Sequence, residues 1–126
     1  MTHKVEARRS ARAILAKIIA GAYPPGLRLP SELELADELS CGRSTIREAL
    51  AELGAMGVVA SRRGSGATVR DFRREGTPAL LPAYLLSGAP DLDPLVLARE
   101  LLHIRSLLAS EAVRLAALYA PEGSLA

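Results

Sequence analysis

Arg43, Ser44, Thr45 and Arg47 put two guanidinium groups and two hydroxyls within a turn and a half of chain. A guanidinium is planar and can bond bidentately to O6 and N7 of guanine. A neutral hydroxyl tolerates close approach to either a phosphate or a base edge. Further on, Arg62 and Arg63 stand beside Gly64-Ser65-Gly66. Glycines there let backbone come close to a groove or a sugar-phosphate, and arginine in a narrow minor groove meets an enhanced negative potential. The same residues would also serve as a solvated surface turn. No competing chemistry assembles. His3 and His103 are the only histidines, too few for a metal site, and no nucleophile–base–acid set has a motif behind it. Gly64-Ser65-Gly66 lacks the lysine of a phosphate loop and falls between strands, not before a helix. The expectation is a binding protein and not an enzyme, with no cofactor and no metal held by this chain.

The charge distribution agrees. Net charge over 126 residues is only +2, but residues 1–75 hold 13 Lys+Arg against 9 Asp+Glu and residues 76–126 hold 3 against 5. A basic half joined to a mildly acidic half is the balance of a nucleic-acid-binding domain on a second, regulatory one. The single cysteine, Cys41, excludes an intrachain disulfide and fits a reducing cytoplasm; it reads as a small packed residue. Met1–Arg12 is polar and basic, unlike a secretory signal, and the longest uncharged run, Gly76–Pro90, is too short for a bilayer and broken by Pro78 and Pro82. A soluble, cytoplasmic chain with no membrane partner is expected.

The elements that must position these side chains are legible from period and punctuation. Ala11, Ile14, Leu15, Ile18 and Ile19 mark one face of a helix over Ala7–Ala20, with Arg8, Arg9, Arg12 and Lys17 largely off that face, either solvated or, for some of them, in contact with phosphate. Ser31 and Glu34 have the spacing of a capping box opening a second helix that ends near Ser40, and Cys41-Gly42 makes the turn. Ile46, Ala49, Leu50 and Leu53 are the buried stripe of a third helix from Arg43 to Met56, which leaves Arg43, Ser44, Thr45, Arg47 and Glu48 facing mostly outward. Val58–Arg62 and Ala67–Arg70 read as a β-hairpin, or wing, Asp71–Thr77 as a linker and Ala79–Ser87 as a short helix. Asp93-Pro94 starts a long helix whose apolar residues run around much of its girth, from Leu97 and Leu101 to Ala112 and Tyr119. Such a helix needs neighbours on several sides, which residues 76–126 do not supply.

Gly21-x-Tyr23-x-Pro25-Gly26-x-Arg28-Leu29-Pro30-Ser31-Glu32-x-x-Leu35-Ala36, followed by Arg43-Ser44-Thr45-Ile46-Arg47-Glu48-Ala49-Leu50, closely resembles the N-terminal domain of the GntR family of bacterial transcription regulators. The resemblance covers roughly residues 8–70. It implies binding of a palindromic double-stranded DNA operator by a dimer. Contacts would fall on Arg43, Ser44, Thr45 and Arg47 of the recognition helix and on Arg63 and Gly64 of the wing, beside Arg62. Two departures stand out. Leu33 occupies a position where many members have a DNA-contacting arginine, and Gly42 replaces a common turn serine. The second half is similar to the FadR-type branch, through Leu101-Leu102-His103-Ile104-Arg105 and Glu111-Ala112-Val113-Arg114-Leu115-Ala116-Ala117; Ala109 replaces a glutamate frequent there. That likeness implies an all-helical effector domain. It also implies a small-molecule effector and, in many members, a metal with a small organic acid, whose ligands would lie beyond Ala126. Arg105 is then an effector contact or a structural helix arginine, and His103 a packed or partly exposed helix residue.

The expected fold is mainly α with a small β-hairpin. Residues 1–74 form a winged helix-turn-helix; residues 75–126 are a linker and the first helices of an incomplete effector and dimerisation bundle. The expected function is a ligand-responsive transcription regulator, a repressor in most of the family it resembles. The alternative is a truncated interaction protein that pairs through its apolar helix with a full-length regulator and binds DNA weakly or not at all.

Overall fold

The computed structural model describes residues 2–89 and 91–121. Helix α1 (His3–Ile19) packs on α3 (Arg43–Ala55) through Ala7, Ala11, Ile14, Leu15 and Ile18, all buried. Between them lies α2 (Glu32–Leu39), which contributes Leu35 and Ala36 to the same core. Ile14, Leu35, Ile46 and Leu53 are essentially inaccessible. Burying an aliphatic side chain of this size stabilises a fold by roughly 1.5–3 kcal/mol, so this row is the main cohesive element of the three-helix head.

Local chemistry sets where α2 begins and ends. Ser31 Oγ accepts from the Glu34 N–H at 3.2 Å, and Glu34 Oε2 accepts from the Ser31 N–H at 2.7 Å, which completes the expected capping box. At the other end Ser40 takes φ 52°, the left-handed conformation that closes a helix, and the Cys41 N–H donates to the Ala36 carbonyl at 3.0 Å. The chain thereby turns sharply through Gly42 into α3. The two helices and their turn have the expected order, with α3 ending one residue early at Ala55.

Strands β1 (Val59–Arg62) and β2 (Gly66–Val69) pair antiparallel, Val59 opposite Val69 and Arg62 opposite Gly66. Their outer edge is not free. Gly26 N–H donates to the Val69 carbonyl at 2.8 Å, Val69 N–H to Leu27 at 2.9 Å and Leu29 N–H to Ala67 at 2.8 Å. The run Gly26–Leu29, to which the sequence assigned no regular element, is therefore an edge segment laid along the wing.

Asp71–Thr77 is not a loose linker. Phe72–Glu75 forms a helical turn, α4, with Phe72 buried and its ring centroid 6.0 Å from that of Tyr84. Thr77 then straps the chain to the end of α3, its N–H donating to Met56 at 2.9 Å and its hydroxyl to Ala55 at 3.0 Å. Gly57, at φ 74°, permits this: a Cβ there would collide with the Glu75 carbonyl. A 3-10 turn (Pro78–Leu80) and α5 (Leu81–Leu86) follow, and Leu80 is buried in the same core. The compact unit thus runs on to Ala89, past the 74/75 boundary expected from sequence, because Phe72 and Leu80 are core residues and not linker.

The second unit consists of α6 (Pro94–Tyr119) and its flanks. Asp93 caps it as expected, Oδ1 accepting from the N–H groups of Leu95 at 2.9 Å and Val96 at 3.4 Å, with Pro94 in the first turn. No residue of α6 is buried; Leu95 is 81%, Leu102 61% and Val113 70% exposed. Among the described residues no helix is long and apolar enough to cross a membrane.

Two outcomes check these assignments. Gly57→Ala is expected to cost at least the roughly 1–2 kcal/mol that a left-handed conformation imposes on a residue with a Cβ, and Ser31→Ala about 1 kcal/mol, both read by urea denaturation. The Glu34 carboxyl is held below its usual 4.5 by the Ser31 N–H first and the Ser31 hydroxyl second, with desolvation opposing. Its folded form binds the proton less tightly than the unfolded chain, so its contribution is complete above about 4.5 and lost as pH falls through the lower, folded value. Denaturation curves from about pH 6 to about pH 3 should show Glu34→Gln less acid-sensitive than the parent.

Candidate nucleic-acid interface

The start of α3, the start of α2 and the wing enclose an open cleft of about 940 Å³ lined by Arg28, Arg43, Arg47, Arg62 and Arg63. Among the described residues only one of those guanidiniums has an ion-pair partner at the cleft. Arg47 Nε donates to Glu32 Oε2 at 2.8 Å. The contact engages one edge of the guanidinium; among the described residues its Nη atoms make no hydrogen bond, and that edge can address a second acceptor pair. With side chains 63% and 34% exposed, the ion pair contributes under about 1 kcal/mol to stability. Its consequence is orientation.

Arg43 and Ser44 are exposed in the first turn of α3. Gly42 precedes them without a side-chain cap, so the first N–H groups of the helix are left open toward the same side. Thr45 departs from expectation. Its side chain is only 2% exposed, so it does not face outward with its neighbours. The reason is helical geometry: Thr45, Ala49 and Leu53 form one i, i+4, i+8 row, and all three are buried. Sequence patterning started the apolar stripe at Ile46 because threonine carries a hydroxyl, yet Thr45 is as buried as the rest of the row.

Arg62, Arg63 and Gly64 are exposed at the wing tip, where Gly64 adopts φ 81° and Ser65 N–H donates back to the Arg62 carbonyl at 3.1 Å. Arg28 was not among the residues singled out from sequence for this site. It lies on the edge segment, its backbone paired with Thr68 of β2, and its Nε would lie 3.2 Å from a Cβ at Gly66, so the guanidinium passes directly over that glycine. The available signal was alternation: Leu29 is buried, so Arg28 beside it must point the other way. Leu33 lines the same cleft, 54% exposed.

The remaining candidates lie elsewhere. Cys41 is half-buried, its Sγ 3.7 Å from Ser10 Oγ, which fits the packed role expected of it. Arg8, Arg9 and Arg12 are exposed on α1, and Lys17 pairs with Glu38 of α2. His103 and Arg105 are exposed on α6, in the second unit. Among the described residues no three His, Cys, Asp or Glu side chains are grouped as a metal ion requires, so these residues do not fit a metal centre.

Comparison with known proteins follows this geometry. The family profile described as bacterial regulatory proteins, gntR family, matches residues 7–69. A Mycobacterium tuberculosis HTH-type transcriptional regulator, Rv0494, is 41% identical over 109 residues, covering 86% of this chain and 43% of the relative. The HTH-type transcriptional regulator Mce2R of the same species is 45% identical over 80 residues, covering 64% of this chain and 33% of the relative. The chain thus spans less than half the length of these relatives. A solved GntR family transcriptional regulator from Listeria monocytogenes shares the fold with a TM-score of 0.52 at 24% identity, over 86% of this chain and 81% of that one. With a two-helix turn, a winged hairpin and a profile match over half its residues, the chain belongs to the gntR family of bacterial regulatory proteins, a family of transcription regulators and not of enzymes.

Proposed function

We propose that this chain binds a palindromic DNA operator as a homodimer, in the cytoplasm, and acts as a ligand-responsive transcription regulator, most simply a repressor. One observation carries the reading: five arginines from three separate segments line a single cleft between the start of α3 and the wing. A solvated surface has no need to converge cations in this way, since like charges repel; a polyanion supplies the compensation. The family and the HTH-type names of its relatives support the same reading.

In this reading α3 enters the major groove and its first residues meet base edges. Arg47, held at Nε by Glu32, presents its Nη edge to guanine, with Arg43 and Ser44 one turn earlier. Arg62, Arg63 and Gly64 address the adjacent minor groove and its phosphates, and Arg28 the backbone between the two. Thr45 serves from within, packing the helix that carries the others. Half-sites in successive major grooves lie about 34 Å apart, so a small rotation across a dimer lets one half lose its grip and most of the avidity with it. The second unit, which carries α6, would belong to the helical effector side, with Arg105 its candidate ligand contact.

A second reading rests on α6, none of whose residues is buried. In that case the chain is an interaction protein that pairs through this helix with a full-length regulator, and DNA contact is secondary. Mass measurement with and without duplex separates the two: a heteromer indifferent to DNA supports the second.

Arg47→Ala is expected to lower affinity for a duplex selected from a random pool by about 1–3 kcal/mol while leaving a scrambled duplex nearly unaffected. Arg63→Ala should weaken both duplexes alike and reduce the salt slope by about 1. Titrations at matched salt read both; unchanged binding of the selected duplex by Arg47→Ala removes that residue from the interface.

A further inference from the structure

The first turn of α1 contributes no buried residue to the core. The helix begins at His3, yet its first buried residue is Ala7, and Thr2 at its N-cap supplies no side-chain bond. What this turn does is carry an imidazole across to α3. His3 Nδ1 lies 2.7 Å from Glu48 Oε2, and His3 Nε2 lies 3.2 Å from Ser44 Oγ. One ring therefore bridges two side chains a helical turn apart on the same face of α3.

Glu48 stands on α3 one turn after Ser44, 43% exposed and adjacent to Arg47 in sequence. A carboxylate at that place opposes any polyanion approaching Arg43, Ser44 and Arg47, because like charges brought together in an interface are unfavourable. Among the described residues His3 is its ion-pair partner. The same ring also fixes the Ser44 hydroxyl, an exposed group that otherwise rotates freely.

We propose that His3 is a positioning residue of the DNA-contacting face: it ties down the Glu48 carboxylate and orients the Ser44 hydroxyl, making the N-terminal turn of α1 a working part of the recognition surface. This rests on the DNA-binding reading above. It extends that reading to a residue outside both the helix-turn-helix and the wing.

The test is a mutant cycle on the full chain. The probe is a 30-base-pair duplex enriched by the parent protein from a random pool, roughly three turns of B-DNA, with a scrambled duplex of equal length beside it. His3→Ala is expected to weaken the enriched duplex about tenfold, or about 1.4 kcal/mol. Adding Glu48→Gln to that variant should restore most of the loss, and His3→Lys, which keeps a hydrogen-bond donor opposite Glu48, should stay near the parent. A purely structural helix end would show the loss without rescue by Glu48→Gln. Parent-like binding by His3→Ala, or a loss that persists in the double variant, overturns the proposal. If the pool yields no enriched duplex and Arg47→Ala behaves as the parent, the DNA-binding reading itself fails and this proposal falls with it; enrichment with an Arg47 effect but no His3 effect sinks the proposal alone.

Discussion

The buried row of α3 is the constraint on which the molecule depends. Thr45, Ile46, Ala49 and Leu53 are almost wholly withdrawn from solvent, and they fix the helix in rotation as well as in position. A helix has one circumference to divide. Turning this row inward is what turns Arg43, Ser44 and Arg47 outward, and a slip of one residue would rotate the arginines by about 100°. The core therefore supplies orientation together with stability. The short α2 and its capping box matter for the same reason, since Glu32, first in that helix, reaches Arg47.

The electrostatics of the cleft follow from that geometry. Cations held at the rim of the cleft repel one another, and this chain offsets that with Glu32 beside Arg47; outside the cleft, Glu75 meets Arg70 in the same way. These contacts are exposed and individually weak. Weakness suits them, because a guanidinium locked in a strong buried pair could not exchange its partner for a base or a phosphate.

Much of this was legible in the residues. Periodicity placed the three head helices, Ser31 and Glu34 announced the cap, Asp93-Pro94 announced α6, and the family was readable from the motif spacing. The features that escaped share one physical character: they are contacts between residues distant in sequence. The Gly26–Leu29 run lies along β2 through backbone bonds that carry no side-chain signature. Phe72 packs against Tyr84, further along the chain, and Thr77 closes back onto Ala55 and Met56, so a stretch rich in arginine and glycine looked like a linker. Thr45 escaped for a different reason, a side chain with a methyl and a hydroxyl being counted as polar although its position on the helix places it in the buried row. Arg28 and His3 acquire their surroundings only once the hairpin and α1 are folded.

The edge segment on the wing has a mechanical consequence. Leu29 is bonded to β2 and Ser31 caps α2, with only Pro30 between them, and proline fixes one of its own two backbone torsions. Hairpin and helix-turn-helix are thus riveted through a near-rigid hinge pin, and neither can tilt far without tearing ladder bonds or uncapping a helix. A gripping tool built this way keeps its jaw angle. It would sort double strands by whether their groove widths already match, and the cost of any misfit would be borne by the nucleic acid instead of by the polypeptide.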